Sequence, residues 1–402
     1  MPLVLTASRF QHPFGGARLR PSELAQLRLI PQTILDEGIA TYEYFLREHG
    51  GLVDPAQWEM FKERERLTIY KRRDYMPQMY SSSVHEKQPD MLMVGTVEGS
   101  LDDMMYGVVN HTTELMRIKT AYVEDGNING AVVATLEEPT ADEPFRSMTL
   151  KWALRGDLLH VRSTVRNRDL VYVEKTGTTK LRSGERVGYQ LVRSVSIAGV
   201  PTLDWAHRSF TSILAVFRER WDGGVDVYAT TMLDTHHDIP RSLIHRSAAE
   251  AMISVWKYVH CGRMKKLCWY LHSRRSEIES TDQKLCENGI CATCASKFSF
   301  LSGAKKKWCL MCSNRVCSSC RVKKTICGIT DEGHLRQINV NLCGRCLGVV
   351  ENADAHALAS AAISTRTSEG EIMLGQTEKL FKRSRRFQSD PEPRLDHFTR
   401  SA

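Results

Sequence analysis

The first 260 residues of this 402-residue chain contain no cysteine. That absence excludes a disulfide framework from this part of the molecule. No apolar run approaches the roughly 18–20 residues that a membrane-spanning helix needs. The start holds only a short apolar patch, Pro2 to Leu5. It lacks the basic segment and the roughly 7–15-residue apolar core of a secretory signal, so the expected compartment is the cytoplasm. Nor does any stretch set a nucleophile beside a positioned base, and no catalytic residue is assigned; the expectation is a protein that is not an enzyme. His236-His237-Asp238 is the densest titratable cluster, but Pro240 follows it, and it reads as a solvated loop before a helix. The adjacent carboxylates Asp102-Asp103 and Glu137-Glu138 diverge on either a helix or a strand and read as surface.

What is present is unevenly distributed. The chain is 42% apolar and 25% charged, enough to build cores for two or three domains. Its formal net charge is +8. Residues 284–350 carry eleven basic and three acidic side chains, which is the whole of that excess. All twelve cysteines lie beyond residue 260, and eight of them form CxxC pairs at 291/294, 309/312, 317/320 and 343/346. A neutral, cysteine-free body is therefore joined to a small basic module.

The body reads as α+β. Pro21-Ser22-Glu23-Leu24 starts a helix with apolar positions at Leu24, Leu27, Ile30, Ile34 and Ile39, broken by Pro31, and a second helix is predicted to carry Trp58, Phe61 and Leu67. Met91 to Val97 alternates as a strand, and Ser100 caps an amphipathic helix predicted over Met104 to Ile118. Six strands follow, at Ala131–Leu136, Met148–Leu154, Asp169–Thr176, Arg186–Val195, Ser212–Arg220 and Val225–Leu233, punctuated by glycines suited to hairpins. One long helix, Arg246 to Leu271, closes the body. Trp152, Trp205, Trp221 and Trp256 sit in apolar patterns and read as core or cavity lining. An antiparallel sheet around a terminal helix is a grip that encloses an apolar cavity.

The stretch Asp169-Leu-Val-Tyr-Val-Glu-Lys-Thr-Gly177, with Gly184-Glu-Arg-Val-Gly-Tyr189 and Arg193-Ser-Val195, resembles the START-like helix-grip domain of proteins that pair it with a FYVE-type zinc finger. The resemblance implies a cavity for an apolar lipid. The expected organisation is a flexible segment 1–19, the START-like domain 20–272, a linker 273–285, the finger 286–350 and a mostly disordered tail 351–402. An Ala-rich stretch from Ala353 to Ala362 is predicted to form a short helix beyond the last cysteine pair.

The four CxxC pairs point to two tetrahedral zinc ions, because each pair presents two thiolates from one tight turn. Only four residues separate the second and third pairs, which favours a cross-brace. Cys291, Cys294, Cys317 and Cys320 would hold the first ion, and Cys309, Cys312, Cys343 and Cys346 the second. The remaining cysteines, Cys261, Cys268, Cys286 and Cys327, are outside this pattern.

The module also resembles FYVE-type fingers, which have this eight-ligand order with an apolar loop and a basic motif before the third ligand. Here those are Phe298-Ser-Phe-Leu301 and Lys305-Lys-Lys-Trp-Cys309, without the family's paired histidines. The resemblance implies that Lys305, Lys306 and Lys307 face a phosphoinositide headgroup while Phe300 and Leu301 enter the bilayer. Three lysines at about 1 kcal/mol each and two apolar side chains at about 1.5–3 each give weak membrane binding, so recruitment needs a headgroup, a dimer or a partner. The expected function is a lipid- and membrane-associated adaptor, cytoplasmic and peripheral on endosomal membranes, docking to an anionic membrane lipid or a protein partner. The alternative is a RING-like module acting in ubiquitin transfer, where a histidine usually joins the ligands; His334 does not match that place. Nucleic acid is not the expected partner.

Overall fold

The computed structural model describes residues 12–14, 19–73, 89–156, 167–233, 240–273, 290–298, 307–330 and 333–369. Two compact units emerge: His12–Gly262 with Ala355–Ile363, and a second containing Arg263–Asp354.

The first unit is built on a ten-stranded sheet. Its strands are β1 (Trp58–Arg64), β2 (Leu67–Arg72), β3 (Met91–Val97), β4 (Asn127–Glu137), β5 (Ser147–Arg155), β6 (Asn167–Lys180), β7 (Arg186–Ser194), β8 (Ala206–Arg208), β9 (Thr211–Arg220) and β10 (Gly224–Leu233). Nine run in the order β1-β2-β3-β10-β9-β7-β6-β5-β4, all antiparallel, and the short β8 pairs in parallel with β6. Helices α1 (Pro21–His49), α2 (Leu101–Val108), α3 (Thr113–Val123) and α4 (Arg241–Ile253) complete the unit, and α5 (Tyr258–Ser273) begins in it.

Period-two alternation sorts the strand side chains onto two buried faces. On one face Leu191, Leu214, Val216 and Tyr228 pack with Leu35 and Tyr42 of α1. Farther along, Leu150, Trp152, Val171 and Val173 pack with Leu27 of the same helix and with Phe14. The intervening residues of the same strands, including Gln190, Val192, Ile213 and Ala215, turn to the opposite face and line a cavity with α4. Both faces are covered, which explains why β5 is buried along eight of its nine residues.

Helix α1 starts with Pro21 at its first position, and Glu23 accepts a hydrogen bond from the Arg20 backbone at 2.8 Å. It runs straight through Pro31, which is buried within it, rather than breaking there. Ser100 caps α2 by accepting from the Asp103 amide at 3.1 Å. Asp103 itself is buried, contrary to its reading as surface.

Three elements differ from the sequence reading. The helix predicted through Trp58, Phe61 and Leu67 is the β1–β2 hairpin, turning at Glu65 with φ of 55°. A register shift between Met60 and Lys62 inserts Phe61 as an extra residue. Residues 58 and 61 have the spacing of a helix face, yet on this extended strand Trp58 packs with the α1-side cluster and Phe61 meets His245 of α4 edge-on. The single helix over Met104 to Ile118 is two, because Asn110 bonds its own loop at Val108 and Thr112 caps α3 through the Leu115 amide. The closing helix is likewise interrupted by a 3-10 turn, Ser254–Lys257, where the Ser254 hydroxyl donates to the Ala251 carbonyl at 2.6 Å.

Helices α2 and α5 touch backbone to backbone at a pair of glycines. A Cβ on Gly107 would lie 1.9 Å from the Tyr258 carbonyl oxygen, and one on Gly262 would lie 2.0 Å from that of Asp103. Because the obstacle is backbone on both sides, neither side chain can yield. Gly107→Ala should therefore destabilise the protein by about 3 kcal/mol or more, at the upper end of overpacking costs. Urea unfolding measures this, and an unchanged midpoint would contradict the contact.

The tryptophans divide. Trp152 is buried and donates to Asp169 at 3.1 Å, whereas Trp256 is half-buried beneath Arg64. Trp205 is 48% exposed and Trp221, at the β9–β10 turn, 97% exposed, so neither is a core or cavity residue. Apolar neighbours in sequence place a residue in a hairpin but not on its inner face.

The second unit contains β11 (Lys307–Trp308), β12 (Arg315–Val316), the long hairpin β13 (Arg321–Ile329) with β14 (Leu335–Cys343), and α6 (Gly344–Glu351). Among the described residues its buried apolar side chains are Met264, Leu267 and Leu271 of α5 and, within 290–351, Leu310, Met311, Val316, Ile326, Ile329, Val340, Leu342 and Val350. The Lys266 ammonium caps the end of α6, donating to the Glu351 and Ala353 carbonyls at 3.0 Å each. The stretch predicted as a short Ala-rich helix forms α7, Ala355–Glu369, in a region otherwise expected to be disordered.

Candidate functional site

The eight paired cysteines fold into two groups. Cys291, Cys294, Cys317 and Cys320 form one and Cys309, Cys312, Cys343 and Cys346 the other, with the sulfurs of each group all within 4.8 Å of one another. Pairs one and three thus meet, and pairs two and four, as a cross-brace requires.

Local backbone chemistry explains how each pair is presented. After Cys294 and Cys312 the chain turns through left-handed residues, Ala295 with φ of 58° and Ser313 with φ of 56°. The turns close through Ala295 N to Cys291 O and Ser313 N to Cys309 O, each 2.9 Å. The third pair ends where β13 begins. Cys343 caps α6, its sulfur accepting from the Cys346 amide at 3.4 Å. Amides of Thr293 and Cys317 point at the Cys291 sulfur, both at 3.4 Å. Such donors favour thiolate over thiol.

The donor set fits a tetrahedral dication. A Zn–S bond of about 2.3 Å implies sulfurs about 3.8 Å apart in a regular tetrahedron. Cys294–Cys317 and Cys312–Cys343 are each separated by 3.9 Å. A disulfide needs about 2.05 Å, and these cysteines are free thiols. In the second group, hydrogen bonding among the four sulfurs, Cys309 first, holds Cys312 far below the ordinary thiol value and drives Cys346 far above it. Four thiols this close cannot all ionise unless a cation takes up the charge. Two four-sulfur groups are thus positioned to bind metal ions, and His334, at the far end of the β13–β14 hairpin, belongs to neither.

Of the membrane-contact residues named from the resemblance, Phe300, Leu301, Lys305 and Lys306 lie outside the described residues, as do Cys286, the His236-His237-Asp238 cluster and all of the expected linker 273–285 but its first residue. The backbone of Lys307 pairs with Val316 in a two-residue ladder. Phe298, from the same apolar loop, lies under the Arg315 guanidinium at 4.7 Å, and Trp308 shares that cation at 5.8 Å. Cys261 and Cys327 are buried in α5 and β13.

The first unit contains a cavity of about 170 Å³ between the sheet and α4. Leu170, Val192, Ile213, Ile244, Ala248 and Met252 supply apolar wall. Asn110, Lys119, Glu174, Gln190 and Tyr258 supply a polar end. Behind them Lys151, fully buried, donates to Glu174 and to both the carbonyl and side-chain oxygens of Asn110. Gln190 donates to Glu174 at 2.6 Å and Asn110 does so at 3.2 Å. Burial alone would raise the Glu174 carboxyl, but Lys151 and Lys119 reverse this and hold it below the ordinary value. Burial pulls Lys151 down to about 8 against the pull of Glu174, so it keeps its proton at neutral pH. Burial would also lower Lys119, yet Tyr258, Glu174 and Asp125 outweigh it and the ammonium is held above its ordinary value.

Sequence reading missed this cluster. Its signal was present: Lys151 interrupts the apolar run Met148–Leu154, and Glu174-Lys175 interrupts Leu170–Val173. Charges inside strands covered on both faces are buried, and buried charges are paired. A second pair lies nearby, where Asp169, fully buried, accepts from Arg208 at 2.9 Å and from Trp152.

No family model matches the chain. No curated protein matches it either. Among solved structures, human StAR-related lipid transfer protein 5 is 14% identical over 60% of this chain and 98% of its own, with a TM-score of 0.38. A STAR-related lipid transfer protein from Xanthomonas axonopodis is 16% identical over 51% of this chain and 98% of its own, with a TM-score of 0.36. Among the described residues no helix is long and apolar enough to cross a membrane.

Proposed function

We propose that the protein is a non-enzymatic, lipid-associated adaptor, with a START-like grip that holds an apolar chain and a FYVE-like finger, organised by two zinc ions, that docks to an anionic surface. The observation that carries this reading is the cavity between sheet and α4, on the same chain as two interleaved four-cysteine groups. Soft, all-sulfur donor sets select zinc over hard cations. Zinc here supplies structure, since four thiolates leave no open coordination position for a substrate.

The finger's docking role is supported by its charge. Arg315, Arg321, Lys323, Lys324, Arg336 and Arg345 belong to the second unit, alongside the Lys305–Lys307 motif. A phosphoinositide surface is the anionic partner that suits this module at the scale of about 1 kcal/mol per basic residue. Sedimentation of the full chain with vesicles of neutral lipid, with and without phosphatidylinositol 3-phosphate, tests this. Binding should require the phosphoinositide and be lost in the triple variant Lys305→Glu, Lys306→Glu, Lys307→Glu. Failure to sediment with either vesicle would remove the membrane half and leave a protein as the partner.

A further inference from the structure

The polar end of the cavity carries a net charge. Lys119, Lys151 and Glu174 are each buried, and the two ammonium groups face one carboxylate. Asp125, Arg155 and Arg168 also line the cavity, so with Lys151 behind the wall four basic groups stand against two carboxylates and positive charge is in excess.

The two lysines are not equivalent. Lys151 has three N–H donors, and all three are occupied by the Asn110 carbonyl, the Asn110 side chain and Glu174. It lies behind the cavity wall and serves the network. Lys119 lines the cavity. Its closest carboxylate oxygen, on Glu174, is 3.9 Å away, and the ammonium stands 4.6 Å from the centre of the Tyr258 ring. Glu174 accepts from Lys151 and Asn110 at Oε2 and from Gln190 at Oε1, and its 3.9 Å separation from the Lys119 ammonium is too long for a hydrogen bond. Lys119 thus offers donors to whatever enters.

The size of the cavity limits the occupant. At about 170 Å³ it is close to the roughly 150 Å³ cavity that accepts benzene and below the roughly 300–1,000 Å³ of ordinary ligand pockets. One short unbranched chain fits that space, and the two acyl chains of a phospholipid do not. The apolar residues beside the polar end, including Val192, Ile213 and Met252, match such a chain.

We propose that the cavity takes a single-chain amphiphile with a monoanionic carboxylate head, the head bound to Lys119 and the chain laid against α4. A monoanion reduces the positive excess of this lining without reversing its sign. This rests on the reading of the cavity as a ligand site, and the test separates the two. Calorimetric titration of the full-length protein with octanoate and with 1-octanol compares a charged and a neutral head on the same chain. Octanoate should bind about tenfold or more tightly than octanol, the scale of one charge-assisted hydrogen bond. Lys119→Met should erase that preference and Lys119→Arg should keep it, while the comparison of the two ligands on the unaltered protein decides the matter even if a variant misfolds. Equal binding of both ligands would overturn the carboxylate contact and leave the cavity reading standing. Binding of neither would overturn both.

Discussion

Stripping metal from the intact protein should unfold residues 290–351 and leave the ten-stranded sheet folded. Few of the described side chains between 290 and 351 are buried and apolar, and the turns of this segment converge on eight sulfurs. Structural zinc contributes about 10–16 kcal/mol in small modules, comparable to the whole stability of a typical domain. The first unit has no share in that term, since every member of both groups lies between Cys291 and Cys346. Native mass spectrometry should count two zinc ions before chelation and none after. Hydrogen exchange should then become fast at Ile326 and Val340 of the β13–β14 hairpin while Val216 and Tyr228, buried in the sheet, stay protected. Protection that survives metal loss would mean that the hairpin stands on its own packing. Cys309→Ser should reproduce the effect at the second group alone, because a buried ligand is lost there.

Removing the carboxylate of Glu174 should be the most damaging single change in the first unit. The substitution Glu174→Gln leaves the buried Lys151 without its hydrogen-bonded carboxylate and Lys119 with only the more distant Asp125, and breaking such a pair costs about 3–5 kcal/mol. The cost falls on the sheet itself, since Lys151 and Glu174 sit on adjacent strands β5 and β6 whose backbones are already paired. Adding Lys151→Met to the variant should recover part of the loss, because it removes the buried ammonium that Glu174→Gln leaves unpaired. Urea midpoints for the two singles and the double form the cycle that measures this. A Glu174→Gln protein as stable as the original would show that the pair is not what holds these strands.

The same two features show how far the sequence reaches. A CxxC pair is local: four residues make a turn, the turn presents two sulfurs, and spacing alone limits how four turns can share two ions. The pairing 291/294 with 317/320 and 309/312 with 343/346 is therefore legible in the amino-acid sequence alone. The strand series from Ala131 to Leu233 is equally legible, since alternation and glycine punctuation are local signals. Where local signals mislead, a short apolar spacing suffices, as at Trp58 and Phe61, which stand three apart as on a helix face but belong to a bulged strand.

The cavity chemistry is of another kind. Asn110, Lys119, Lys151, Glu174 and Gln190 come from a loop, a helix and three strands. No spacing joins them. They meet because β5, β6 and β7 are neighbours and their cavity-facing residues share one side of the pleat. Burial then turns ordinary surface residue types into a paired network with a residual charge. Composition and spacing by themselves determined that this chain joins a neutral α+β body to a basic module with eight cysteines spaced to bind metal ions. Only the tertiary structure decided which charges are out of water, because desolvation depends on what covers both faces of a strand, and no single strand carries that information.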